Sequence, residues 1–570
     1  MWFRPRAERR SAGSGGAAPT MGGMSAPSAA AEAPDPLDRA AAPSGQDAPS
    51  GQDAPSGQDA PSGQDALSGH GDMPGPDGPS GQDGPAARDA SSGDSGPPVR
   101  DTPVQDGPEE QCGPSQPHAH PRPAAARPRR AAAALPLLVV LVFAAFQTVA
   151  HPVWTLSNDS YRYARQSLEF LGAPSAEARR RAVAAYCASD AARLARIRRL
   201  DPAASGPADA ARRADLRSCL RANAAGLSPT DPRYERIFTT RPGYPLLISP
   251  AVALLGVARG MWLTGLLLTA GSSLLVVALL RQAGASPTAA TAGQLLFLCC
   301  RLGWWSTQPL AEGAVTAGVL AALLGGWWLL HGRTRAGAAL LLGALAATTA
   351  VKYSTALMLA CALAAAAVCR LLGRAARPRP DAGTRTGART GTDTAADTAA
   401  GTRSGAVLLA ALAGSAAALI AVGTTALRLP DAAETLQDTF TRSFHRPPVA
   451  DVWQRLLRLD AHYGEQWLRD QAAQPLLPAL LCLAGWALAR RCRTLGLLAA
   501  AAAAVGAATA AAHPVAAQQD RLWALLWVPA VLGAPFAVDL LRPVPRAEPA
   551  SSAAVPAAPQ GSGAVAAFRR

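Results

Sequence analysis

Lysine is almost missing from this chain of 570 residues: Lys352 is the only one, and arginine carries the other 53 basic charges. Charged residues amount to 16% of the chain and aromatic residues to 5%. An ordinary soluble protein has roughly a quarter of its residues charged. So few charges could hardly cover a soluble surface of this size, so lipid contact has to replace much of the missing polarity. The nine cysteines are scattered and form no CxxC pair, which excludes a disulfide scaffold and a zinc ribbon. The net charge of +14 raises the question of nucleic acid. The arginines, however, lie beside apolar runs and form no basic face interleaved with aromatics, so membrane topology accounts for the excess and no nucleic-acid partner is expected. The wealth of Ala, Gly and Arg is the pattern of a G+C-rich coding sequence.

Gly 52 and Pro 49 crowd into the first 130 residues and one later loop. Ala-Pro-Ser-Gly-Gln-Asp is repeated four times between Ala42 and Asp65. A period of six without Gly at every third residue excludes collagen, so residues 1–130 read as a disordered, low-complexity tail on the cytoplasmic side. No cleavable signal peptide is visible, because the first long apolar run begins only at Ala131. Residues 542–570 read as a second disordered cytoplasmic tail.

Between the tails, apolar runs near the ~20 residues needed to cross a bilayer occur at 131–150, 258–280, 288–304, 312–330, 336–351, 353–371, 405–427, 472–489, 494–512 and 522–541. The expected fold is therefore an all-α polytopic membrane protein with about ten transmembrane helices and one long outer loop, 151–257, after the first. A flexible inner loop is expected at 372–404. Arginine gathers at the end of every even run, as at Arg281, Arg333, Arg335, Arg370, Arg490, Arg491 and Arg493. This places both termini in the cytoplasm of a multi-pass plasma-membrane protein. The long outer loop is also rich in Arg, but the rule is counted on loops shorter than roughly 60 residues. Ala176 to Leu200 has helical periodicity and is expected to lie near the membrane surface. Cys187 and Cys219 share this loop and either pair there or remain separate thiols.

With that topology the polar residues of interest collect on the outer side. They are Asp159 with Asn158, Arg162 and Tyr163; Arg241 to Tyr244; Glu312; Lys352; and Asp520 with Arg521. Ionisable groups at membrane depth are costly, so they usually face a cavity or a partner. Each also has a plainer reading. Asp159 is either a base or the cap of a helix starting at Ser160. Lys352 and Arg521 either meet an anion or snorkel to the interface, and Arg241 either joins them or touches headgroups. Glu312 either positions a ligand or favours a helix N-terminus. His445, His462 and His513 have no spacing that joins them, so no metal site is named.

The order of these features resembles the GT-C class of polytopic glycosyltransferases, nearest the protein O-mannosyltransferase and aminoarabinose transferase branches. The features are an acid soon after the first span, Arg-Pro-Gly-Tyr-Pro-Leu-Leu leading into the second, a Glu after the third and a base after the fifth. The resemblance covers 131–541, and implies transfer of a sugar from a polyprenyl phosphate to an acceptor hydroxyl on the outer face. It departs from the mannosyltransferase branch in having Asn158-Asp159 where that branch has two acids, which leaves acceptor class and use of a divalent metal open. On this resemblance Asp159 is the catalytic base, Arg241, Lys352 and Arg521 bind the donor phosphate, and Glu312 and Tyr244 position the acceptor. No cofactor is expected. A transporter, lipid-handling protein or scaffold is the competing class, although no repeated half is visible.

Overall fold

A computed structural model describes residues 127–150, 155–204, 206–375, 392–515 and 518–541, and the side chains of most of them. The expected tails at 1–130 and 542–570 lie outside the described residues apart from the last four of the first, as does much of the 372–404 loop.

The described residues form only helices and turns. First come α1 (Arg127–Ala150), α2 (Asn158–Phe170), α3 (Ser175–Leu200), α4 (Ala208–Ala222), α5 (Pro232–Thr239) and α6 (Gly243–Leu255). The middle of the chain contains α7 (Val257–Gln282), α8 (Pro287–Cys299), α9 (Arg301–Thr307), α10 (Glu312–Leu330), α11 (Thr334–Ala375) and α12 (Thr392–Ala426). Then follow α13 (Ala432–Phe440), α14 (Val452–Ala473), α15 (Leu476–Arg491), α16 (Arg493–Ala511), α17 (Gln519–Leu522), α18 (Trp527–Gly533) and α19 (Pro535–Leu541).

The multi-span, all-helical architecture stands, but the count of ten spans does not. Six helical segments are long and apolar enough to cross a membrane, or seven if the bent pair α14–α15 is one span. Apolar length alone overcounts because it ignores where a helix breaks. The 288–304 run is split at Cys300, whose extended backbone (φ −88°, ψ 176°) divides it into helices of 13 and 7 residues. In the first run the apolar helix covers only Ala134–Ala150 and contains Pro136, which removes a helix hydrogen bond. The 472–489 run is a 16-residue helix bent by 85° from its neighbour. The runs at 336–351 and 353–371 are the two halves of α11, one of the six segments, which is interrupted at Lys352 (φ −159°, ψ 85°) where the gap between the two runs lies.

The break at Lys352 turns α11 back on itself. Near its start, Gly337 lies against Leu329 at the end of α10. Near its other end, Arg370 hydrogen-bonds Thr494, one turn from Leu498, which lies against Gly326 of α10. A straight 40-residue helix would carry its ends ~60 Å apart. Both ends of α11 therefore share one end of the bundle, and Lys352 sits at the other. Gln282, which accepts a hydrogen bond from Trp328 Nε1 at 2.5 Å, belongs to the first end. That end thus carries the arginines of the α7, α10 and α11 termini.

Small residues let these helices approach. A Cβ on Gly325 would stand 2.6 Å from the Leu341 nitrogen, so α10 and the first half of α11 pack backbone to backbone.

Residues 155–256 form a helical lobe. Ser157 caps α2, and its hydroxyl and that of Ser160 form a reciprocal capping box. Arg162, fully buried, ties α2 to α5: its Nε donates to Glu235 Oε1 at 3.0 Å, its Nη2 to the Pro229 carbonyl at 2.5 Å, and it lies 4.5 Å from the Tyr234 ring centre. A buried guanidinium is tolerable only when its donors are so matched. Cys187 of α3 and Cys219 of α4 are joined by a disulfide. In membranes prepared without reductant both cysteines should be refractory to a thiol reagent even after unfolding, and reactive once reduced; free labelling before reduction would contradict the bond.

Candidate functional site

At the end of the bundle remote from those arginines, charged residues from four separated segments meet. Asp159 stands in the first turn of α2, Glu312 opens α10, Lys352 occupies the break of α11, and Arg521 lies on the single turn α17. Arg521 joins two of them: Nη1 donates to Asp159 Oδ2 at 2.8 Å and Nε to Glu312 Oε1 at 2.5 Å. All three side chains keep only 15–20% of their exposure. Burial works against the Arg521 charge, but the Glu312 and Asp159 carboxylates more than offset this and hold it protonated well above the ordinary arginine range. Ser160 Oγ donates to the Pro309 carbonyl at 2.9 Å, which keeps α2 beside the turn leading to Glu312. Asp159 is not the cap of α2; Ser157 fills that role, which frees the carboxylate for Arg521.

Lys352 makes no hydrogen bond or ion pair to any described residue. It lines a small pocket of about 40 Å³ with Glu312, Thr316, Thr355, Thr509 and Arg521, closed by Val315, Leu522 and Leu525. That is room for a few water molecules. The neighbouring turn is pressed close: a Cβ on Gly243 would lie 2.6 to 2.8 Å from the backbone of Ala350 and Val351, so only glycine lets Arg241 and Tyr244 flank the α11 break. Arg241 sits 5.4 Å from the Tyr353 ring centre, and Tyr353 donates to the Pro430 carbonyl at 2.7 Å. Tyr244 is fully buried and packs edge-on to Tyr163 at 5.0 Å between centroids.

Several buried polar atoms here have no hydrogen-bond partner among the described residues: Arg241 Nε, Tyr244 Oη, Glu312 Oε2, Thr355 Oγ1, Gln308 Nε2 and Asp438 Oδ1. Each such group costs about 1 to 3 kcal/mol. Two of them, on Glu312 and Thr355, line the small pocket, as a site for a polar ligand or bound water requires.

Two residues complete the electrostatics without having been assigned from sequence. Asp438 of α13 is pushed up to about 7, first by burial and then by the Asp159 charge, against the pull of Arg162 and Arg241. His513 hydrogen-bonds Thr439 Oγ1 at 3.1 Å. Burial, then the positive charges of Lys352, Arg241 and Arg521, lower it to about 4, so the imidazole is neutral at pH 7. Tyr163 is raised well above the phenol range by burial and by Asp159 and Glu312. His445 and His462 are exposed, and no group of three or more His, Cys, Asp or Glu side chains among the described residues could hold a metal ion.

The Asp438 shift has a stability signature. A carboxyl ordinarily titrates near 4. With the folded value raised, the folded chain holds the extra proton between about 4 and 7, and stability falls as pH rises through that window. Asp438→Asn should therefore melt above the parent at pH 8, with the advantage shrinking as pH falls toward 5. An advantage independent of pH would contradict this burial of charge.

No protein-family model, no curated protein and no solved structure matches this chain.

Proposed function

We propose that this multi-pass membrane protein is a GT-C-like glycosyltransferase that moves a sugar from a polyprenyl phosphate to an acceptor hydroxyl on the outer face of the plasma membrane. One observation carries the reading: residues 159, 312, 352 and 521, from four separated segments, meet at the bundle end opposite the arginine-rich termini, and leave one ammonium without a partner among the described residues. By the positive-inside rule the arginine-rich end is cytoplasmic, so the cluster faces outward and both termini face inward.

In this reading an acceptor hydroxyl, itself a poor nucleophile, gives its proton to Asp159 as its oxygen attacks the anomeric carbon. The carbon–oxygen bond to the phosphate breaks, and the leaving phosphate gains negative charge. Lys352 and Arg241 are placed to meet that charge in a water-poor setting. Arg521 contributes chiefly by position, since its guanidinium is already shared by two carboxylates; its distance from Asp159 holds the base in place. Glu312 balances Arg521 and, with its free Oε2, orients the acceptor beside Tyr244.

A strain lacking this protein should lose one class of surface glycan or glycoprotein, restored by the parent gene and not by an Asp159→Asn copy. An unchanged glycan profile would remove the enzymatic reading and favour lipid handling without covalent chemistry.

A further inference from the structure

Helix α14 has a second apolar face that nothing in the described structure covers. Val452, Leu456 and Tyr463 of its first face are buried, against α13 and Trp523. About a third of a turn away, Trp453 (54% exposed), Leu457 (70%) and Leu468 (63%) are open, with Ala461 between them. Spacings of 4, 4 and 7 put these residues in one stripe along the helix. The opposite side is polar, with Arg455, Arg458, His462, Glu465 and Arg469. Arg455 pairs with Asp451, just before the helix, and Arg469 with Glu465, while Arg458 has no ion pair with any described residue.

Two further observations say what meets the stripe. Helix α14 is bent by 85° from α15, a 16-residue apolar helix. With α15 entering the bilayer, a helix at right angles to it lies along the bilayer surface. Exposed apolar residues recur on α15, where Leu476, Leu483 and Trp486 are open as lipid-facing residues are. A long helix with one apolar face and Arg on the other side is the form that settles at a lipid interface.

We infer that α14 is an interfacial helix whose Trp453, Leu457 and Leu468 enter the acyl boundary of a phospholipid bilayer while Arg458 and His462 stay in the headgroup water. The seat also sets the depth of the charged cluster. Trp467 stacks on Trp523 with centroids 4.7 Å apart, Tyr463 lies parallel to the same ring at 6.3 Å, and Trp523 is two residues from Arg521. Arg521 is thereby held at the level of lipid headgroups.

The test uses the full chain in nanodiscs of phosphatidylcholine and phosphatidylglycerol, with a genetically encoded fluorescent amino acid in place of Leu457, Leu468, Arg458 or His462 in turn. Lipids brominated on the acyl chain should quench the probes at 457 and 468, and aqueous iodide those at 458 and 462. Iodide reaching all four equally would show a face open to water and overturn the inference. Positions 457 and 468 protected from both quenchers would show a protein cover, such as a second copy, and would overturn it too. No transferase activity enters the readout, so this result and the functional reading can fail separately.

Discussion

Asp159→Asn should lower sugar transfer by about 10²- to 10⁴-fold, the range for loss of a positioned general base. The replacement is nearly isosteric, and its amide oxygen can still accept a hydrogen bond from Arg521 Nη1, which donates to Oδ2 at 2.8 Å. Glu312 keeps Arg521 charge-balanced from the other side. The fold and the binding of a polyprenyl-phosphate donor should therefore survive while turnover fails. Titration with the donor and a single-turnover assay separate the two quantities. A variant that loses donor binding in step with transfer would show that Asp159 shapes the phosphate site and is no base.

Arg521→Met and Lys352→Met should have opposite consequences, although both remove one cation from the same pocket. Removing Arg521 strands two carboxylates that are four-fifths or more buried. Breaking a fully buried pair costs about 3 to 5 kcal/mol; the residual solvent here reduces that to about 2 to 4 kcal/mol. The Arg521 variant should unfold at lower temperature and yield less folded protein. Lys352 compensates no carboxylate through an ion pair, and a cation without a partner near a membrane is itself costly. Its methionine variant should be at least as stable as the parent, yet bind polyprenyl phosphate weakly. Thermal unfolding with and without the lipid phosphate reads both effects. Equal loss of stability in the two variants would make Lys352 a structural residue and remove its phosphate role.

The membrane character was legible because lipid contact leaves a compositional mark: few charges, long apolar runs and arginine at their ends. The number of spans was not, because hydropathy is blind to backbone breaks. Cys300 sits inside apolar sequence with no Pro or Gly next to it, and only packing reveals that the chain turns there, whereas the break at Lys352 was legible as the gap between the runs 336–351 and 353–371. The cost of ionisable groups at span ends singled out Asp159, Glu312, Lys352 and Arg521, and the structure brings Asp159 and Glu312 onto Arg521 while leaving Lys352 unpaired in the same pocket. Sequence could not show that Arg521 already serves two carboxylates, since positions 159, 312 and 521 become neighbours only through folding. Asp438 was invisible for a related reason. It lies in a short polar helix like many others, and only its placement facing Asp159 gives it meaning. Trp467 and Tyr463 gave no signal either, because their partner Trp523 lies more than fifty residues along the chain.

The most direct measurement is binding of a polyprenyl phosphate to the purified full chain in phospholipid nanodiscs, against a neutral polyprenol of the same length and with Lys352→Met alongside the parent. The account predicts saturable binding of the phosphate to the parent, little binding of the alcohol, and at least tenfold weaker phosphate binding by the folded Lys352 variant. Equal affinity for phosphate and alcohol, or no binding of either, would contradict it.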